Sequence, residues 1–207
     1  MSSTYDWPIG VAHLRRQDPA LNRIIDIVGP HRPARLGSAQ TPFATLLRSI
    51  VYQQLSGKAA GSIHRRVLAL FPGGRPSARA LLALDDAELR AAGLSRSKVL
   101  SVRDLATKAA ARRLPSRRAL DAMDDEAIIE HLTEIRGIGR WTVEMLLIFT
   151  LGRPDVLPVT DLGVRRGFMV YQGNEELPEP AELLAHGEIW RPWRSVASWY
   201  LWRASEL

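Results

Sequence analysis

Apolar residues recur at helical spacing along nearly the whole chain, and this periodicity limits the possible folds more than any other feature. Phe43, Leu46, Leu47, Ile50 and Val51 fall at i, i+3, i+4, i+7 and i+8, the stripe that one buried helix face requires. Thr41 as N-cap and Pro42 in the first turn mark its start, because proline's fixed φ and missing N–H suit a helix's first position. A second helix is expected from about Gly57 to Leu70, with Ala60, Ile63, Val67 and Leu70 on one stripe, ahead of Pro72-Gly73-Gly74. Asp85 and Glu88 form a capping box for a short helix that ends at Gly93. Ser95 caps the next helix, which reaches the basic stretch Arg112, Arg113, Arg117 and Arg118, broken by Pro115. Leu21, Ile24, Ile25 and Val28 share a helical face, and further helices are read over 127–134, 141–151, 161–170, 180–185 and 192–203. Only 156–160 looks extended. With no convincing strand pair and no repeat, the chain reads as all-α.

A chain of 207 residues with 46% hydrophobic content can bury a sizeable core. Its formal charge of +6, from 28 Lys+Arg against 22 Asp+Glu, fits a polyanionic partner such as DNA or RNA. Cysteine is absent, which excludes disulfides, Cys-ligated zinc and any iron–sulfur cluster. The opening MSSTYDWPIG has neither a basic n-region nor an apolar h-region. No apolar run approaches the roughly 20 residues that cross a bilayer. The expectation is a soluble intracellular protein, cytoplasmic or nucleoid-associated. His13, His31, His64, His131 and His186 are scattered without metal-ligand spacing, so they read as surface residues and no catalytic metal is expected.

Between two of the helical patterns lies Ile135-Arg136-Gly137-Ile138-Gly139. Glycine lets a main chain approach a ligand where a side chain would block it, so this turn would present bare N–H groups to an anion. A glycine pair between helices is often no more than a tight connection. Here Leu132 and Ile135 continue the first helix's apolar face, Ile138 plugs inward between the glycines, and a second helix starts at once. That arrangement is a helix-hairpin-helix, which grips a nucleic-acid phosphate at a helix N-terminus without reading bases.

The segment LTEIRGIGRWTVEMLLIFTLGRPDVLPVTDLGVRRG resembles the helix-hairpin-helix, Gly/Pro-rich loop and trailing Asp of the endonuclease III superfamily of DNA glycosylases. Trp141 after the hairpin, YQQLSGKAA (Tyr52 to Ala60) and WRPWRSVASWYLWR (Trp190 to Arg203) resemble the 3-methyladenine DNA glycosylase II branch. The likeness covers roughly 41 to 203, in a compact form without that branch's N-terminal α/β domain. It implies two helical lobes with an active-site cleft between them: 43–153 with the hairpin as one lobe, and 1–42 plus 154–207 as the other.

On this resemblance Asp161 is the catalytic carboxylate, although an Asp before Val164 and Phe168 would also N-cap their helix. Trp141 stands where members that also cut the backbone carry a Schiff-base lysine. The resemblance therefore implies a monofunctional enzyme that uses water and recruits neither Lys98 nor Lys108. Trp141, Trp202 and Tyr52 are implied as walls of the base pocket, where aromatic rings favour a cationic alkylated base; Trp193 and Trp199 read as core. Gly137, Ile138, Gly139 and Arg140 would meet the DNA backbone. A residue of Gln54, Leu55 and Ser56 would fill the gap left by the extruded base; Leu55 continues the buried stripe of Phe43, Leu47 and Val51, which points it inward and would leave the place to Gln54 or Ser56. Main-chain carbonyls of Thr133, Ile135 and Gly137 are implied as ligands of a structural Na+ or K+, with no cofactor for catalysis. The implied partner is double-stranded DNA with an alkylated base such as 3-methyladenine or 7-methylguanine, bound by a monomer without a membrane. The alternatives are a glycosylase of different lesion specificity, a non-catalytic helix-hairpin-helix DNA-binding protein, and a helical scaffold whose glycines are coincidental.

Overall fold

The computed structural model describes residues 6–30, 32–33, 36 and 40–207; His31 lies outside them. Thirteen α-helices form among these residues, and no strand does. In order they are α1 Trp7–Gln17, α2 Asn22–Val28, α3 Pro42–Tyr52, α4 Gly57–Ala69, α5 Ala78–Ala83, α6 Asp86–Ala91 and α7 Arg96–Ala110. There follow α8 Arg117–Ala122, α9 Asp125–Thr133, α10 Arg140–Met145, α11 Leu162–Gln172, α12 Pro180–His186 and α13 Arg194–Ala204. Residues 156–160 form irregular chain and a turn rather than a strand.

Side-chain caps set most of the helix starts. Thr41 Oγ1 accepts from Ala44 N at 3.2 Å, Ser95 Oγ from Lys98 N at 3.2 Å, and Asp85 with Glu88 closes the expected capping box. Helices α1, α5 and α8 were not anticipated. Each nevertheless starts from a capping residue, Asp6, Ser77 and Ser116; α5 and α8 are six residues long and bury one leucine each, Leu81 and Leu120, too little for a periodic stripe to register. Arg117 and Arg118 open α8 rather than extending α7. The expected helix over 141–151 also changes character, because α10 ends at Met145 and Leu146–Leu151 continues as a π-helix.

The chain divides into two compact units. One comprises residues 39–146, with a core that includes Leu46, Leu47, Ile50, Leu89, Val102, Leu105, Ile128 and Leu132. The other joins Met1–Ser38 to Leu147–Leu207 and packs Trp7, Leu14, Leu21, Ile25, Phe168, Trp190, Tyr200 and Leu201. Trp193 and Trp199 pack against the edge of that core. Within it α11 crosses α13 at Gly167, where a Cβ would lie 1.8 Å from the Leu201 carbonyl oxygen. No other residue type permits so close a backbone approach.

Candidate active site and backbone interface

In the unit of residues 39–146, α9 leads into the hairpin through buried Leu132 and Ile135. Gly137 takes a φ of 77°, the left-handed conformation that glycine adopts without strain, and Ile138 is turned inward with 4% of its surface exposed. Gly139 differs. Its φ of −101° suits any residue, and a Cβ there would meet nothing within 4 Å. Folding does not demand glycine at this position, whereas a ligand coming close to the backbone would. Gly139 is also the N-cap of α10, with its carbonyl accepting from Thr142 N at 2.9 Å, and a helix N-terminus of this kind favours an anion. The Arg140 guanidinium forms a two-pronged pair with Glu126 at 3.0 and 2.5 Å. The Arg140 hydrogen bond, opposed by burial, holds the Glu126 carboxyl below the ordinary carboxylate range.

The segment after α3 leaves helical geometry abruptly. Gln53 is extended and Gln54 takes a φ of 56°, so the helical register that would bury Leu55 is broken. Leu55 is 39% exposed; the inward reading of Leu55 is therefore corrected. Ser56 is the N-cap of α4 and accepts from Ala59 N at 3.5 Å. Tyr52, half-buried at the end of α3, has the Arg48 guanidinium 4.0 Å above its ring and His64 edge-on at 5.8 Å. Burial, helped by the charge of Arg48, lowers the pKa of His64. Trp141 is 45% exposed, a large apolar surface for a tryptophan to leave to solvent.

In the second unit Asp161 does two jobs with one oxygen. Its Oδ1 accepts from Val164 N at 2.8 Å, capping α11, and from Trp202 Nε1 at 2.8 Å. The Trp202 ring stacks on Phe149, with centroids 5.6 Å apart. Gly163 makes room for this pair, because a Cβ there would come within 2.8 Å of Trp202 Cδ1 and 3.1 Å of Asp161 Oδ1. The sequence reading missed Gly163 and Phe149. A glycine in the first turn of a helix, where it lowers helix propensity, was the available signal for the former.

The loop that delivers Asp161 is fastened along one face of α13. Ser195 Oγ donates to the Arg153 carbonyl at 2.7 Å and accepts from Val156 N at 3.0 Å, while Ser198 Oγ donates to the Val156 carbonyl at 3.3 Å. Arg194 holds Asp155 through Nε at 2.7 Å and through Nη2 at 3.1 Å. Arg194, Ser195, Ser198 and Trp202 thus follow one another along the helix as the loop runs past it toward Asp161. Ordered chemistry, not a sheet or a disulfide, keeps this irregular segment in place.

A family profile for the HhH-GPD superfamily of base excision DNA repair proteins matches residues 47–192. This chain belongs to that superfamily. Among curated proteins it is similar to DNA-3-methyladenine glycosylase 1 of Schizosaccharomyces pombe, 37% identical over 196 residues that make up 94% of this chain and 86% of the yeast protein. Among solved structures it is similar to S. pombe 3-methyladenine DNA glycosylase (Mag1) in complex with abasic DNA, with 37% identity, 96% of this chain and 97% of that one covered, and a TM-score of 0.87. A DNA-3-methyladenine glycosidase structure from Bacillus halodurans is 38% identical, covers 99% of this chain and 91% of its own, and has a TM-score of 0.85. An HhH-GPD protein is all-α around the hairpin described above, in keeping with the fold read from the periodicity.

The remaining candidates are accounted for as follows. Lys98 Nζ donates to the carbonyls of Val51 and Gln53, and Lys108 Nζ to Asp104 and the Glu134 carbonyl; both are tied to their surroundings. The histidines are not simple surface residues. His64 packs on Tyr52, and His186 sits with Phe168, Tyr171 and Trp190 beside buried Asp18. Asp18 accepts from Trp190 Nε1 at 2.7 Å and from the Tyr171 hydroxyl at 3.0 Å, and burial together with the Asp18 charge raises the Tyr171 pKa. Among the described residues no group of three or more His, Cys, Asp or Glu side chains is gathered as a metal site would need. No helix of the described residues is long and apolar enough to cross a membrane.

Proposed function

We propose that this HhH-GPD protein is a monofunctional DNA glycosylase that hydrolyses the N-glycosidic bond of alkylated bases in double-stranded DNA, 3-methyladenine and 7-methylguanine first, and leaves an abasic site. The observation that carries the reading is the fixed carboxylate of Asp161, held at Oδ1 by the α11 backbone and the Trp202 indole, in a chain similar over most of its length to proteins named DNA-3-methyladenine glycosylases.

In such a reaction the C1′–N bond breaks with its electron pair going to the base. A base already cationic from alkylation leaves neutral, so no acid is required for its departure. Positive charge develops on the sugar, and a preorganised carboxylate lowers the barrier most where that charge appears. Asp161 bears this role and orients the water whose oxygen bonds to C1′ and whose proton then passes to solvent water. Its two donors keep the carboxylate oriented before substrate arrives, so little reorganisation is needed during the reaction. Trp202 and Trp141 offer indole surface to a flat cationic base, with Tyr52 as a smaller contributor. Trp141 has no amine to form a Schiff base, and this limits the chemistry to hydrolysis.

Gly137, Ile138, Gly139 and Arg140 form the backbone grip, and Leu55 is the residue that enters the stack after extrusion, flanked by Gln54 and Ser56. The carbonyls of Thr133, Ile135 and Gly137 fit a monovalent cation such as Na+ or K+, because they are neutral oxygen donors on one turn. Ile135 O and Gly137 O each already accept one hydrogen bond, from Ile138 N and Gln53 Nε2, and a carbonyl has two lone pairs. When bound, the ion would supply positive charge to a DNA phosphate. The protein acts as a monomer.

The test is release of free base from duplexes that carry 7-methylguanine, 3-methyladenine, uracil or 8-oxoguanine. Alkylated bases should be released at least about tenfold faster than the neutral lesions. Preference for a neutral lesion would contradict the reading.

A further inference from the structure

Helix α7 carries Lys98, Ser101, Asp104 and Lys108 at three- and four-residue intervals, the spacing that places side chains along one face. All four reach two segments that are distant in sequence. Lys98 Nζ donates to the carbonyls of Val51 at 2.7 Å and Gln53 at 2.8 Å, where α3 ends and the chain turns toward Leu55. Ser101 lies against Gly137, since a Cβ on that glycine would come within 2.6 Å of Ser101 Oγ. Asp104 Oδ2 accepts from Arg136 N at 2.8 Å and from Lys108 Nζ at 2.7 Å, and Lys108 Nζ also donates to the Glu134 carbonyl at 2.6 Å. The two segments are then tied directly, by Gln53 Nε2 donating to the Gly137 carbonyl at 2.8 Å.

We propose that Lys98 is a positioning residue for base extrusion: by capping the end of α3 it sets the turn that carries Leu55 in register with the hairpin, so that gripping the backbone and filling the vacated stack occur together. The inference rests on the glycosylase reading above. A single ammonium on two carbonyls gives the turn an anchor that neither an apolar side chain nor a neutral amide reproduces, because α3 ends there with carbonyls that have no helical donor. Past Gln53 the turn, with Gln54 left-handed, is closed by a single 3.3 Å main-chain bond from Leu55 N to the Tyr52 carbonyl. Burial lowers the Lys98 pKa, yet both acceptors favour its charged form. Asp104 is similarly placed for the hairpin: burial raises its pKa, but the Lys108 ammonium, the Arg136 amide and the charge of Arg113 outweigh burial and bring it below the ordinary range. Lys98 acts through the turn, since its Nζ is held by two main-chain carbonyls.

A residue that serves extrusion should matter when the lesion is stacked and paired, and little when the base has already lost its partner. The measurement is single-turnover release of 7-methylguanine from two duplexes, one with cytosine opposite the lesion and one with an abasic site opposite it, by the full-length wild type and by Lys98→Met, Lys98→Arg and Leu55→Ala. Lys98→Met and Leu55→Ala should each slow release from the paired duplex by about tenfold or more but from the unpaired duplex by less than about threefold. Lys98→Arg should restore most of the paired-duplex rate. The double variant should be no slower than Leu55→Ala alone, because both changes remove the same function. Should Lys98→Met not fold, Gln53→Leu cuts the tie between the two segments and should show the same selective loss. Equal loss on both duplexes, or no loss on either, overturns the proposal while an active wild type preserves the glycosylase reading. A wild type inactive on both duplexes overturns both.

Discussion

At the hairpin the groups that would meet DNA belong to consecutive main-chain residues, Gly137 to Arg140, and their conformation follows from local sequence: a left-handed glycine, an inward isoleucine and an N-cap. At Asp161 the group that matters is one side chain, and its placement depends on residues more than thirty positions away, Arg194, Ser195, Ser198 and Trp202. Binding a repetitive polyanion tolerates a backbone motif that can be written in five residues. Fixing one carboxylate requires a scaffold, and the scaffold here is the packed crossing of α11 and α13.

That contrast can be broken at three glycines and one indole. The largest effect is expected at Gly167→Ala. A methyl group 1.8 Å from the Leu201 carbonyl cannot be accommodated without moving α11 from α13, and overpacking of this kind costs about 3 kcal/mol or more. Thermal unfolding should show a large drop in midpoint, and an unchanged midpoint would mean that the crossing is looser than described. Next comes Trp202→Phe, which keeps an aromatic ring but removes the indole donor to Asp161. Excision of alkylated base should fall by on the order of a hundredfold, with stability reduced by only about 1 kcal/mol. Equal rates for variant and wild type would remove Trp202 from the positioning role. The smallest effect belongs to Gly139→Ala. Since a Cβ there has open space and an ordinary φ, stability should stay within about 0.5 kcal/mol. Affinity for duplex DNA should nevertheless weaken by about tenfold, most visibly at low salt. Gly137→Ala serves as the contrast, because its φ of 77° and the contact with Ser101 Oγ make the same change strain the turn itself.

How much of this was legible in the sequence follows the same division. The caps at Thr41, Asp85 and Ser95, the inward Ile138 and the dual role of Asp161 as cap and candidate catalyst could be read from neighbouring residues. The six-residue helices α5 and α8, with one buried leucine each, could not, because periodicity needs several turns to declare itself; α6 is as short and was legible only through its capping box. Leu55 was misread for a related reason: a stripe extrapolated past Tyr52 assumes that helical geometry persists, and Gln53 and Gln54 end it. The braces escaped notice altogether. Nothing in the spacing of Lys98, Ser101 and Asp104 names their partners on α3 and the hairpin, and nothing near Ser195 or Ser198 points to the carbonyls of Arg153 and Val156. Gly163 stood out only as a poor helix former in a first turn, and its reason stayed hidden because the ring it accommodates belongs to the far end of the chain. The histidines were misjudged because exposure is a property of packing, and His186 is drawn inward by an aromatic cluster around Asp18.

The central claim is that Asp161 supports bond cleavage and not DNA binding. Its most direct test is Asp161→Asn, which keeps the α11 cap and the side-chain shape while removing the charge, assayed by single-turnover release of 7-methylguanine and by affinity for an abasic duplex. Release should fall by on the order of a thousandfold while affinity changes by less than about threefold. Release within about tenfold of wild type, or loss of binding and release together in a folded protein, would contradict the account.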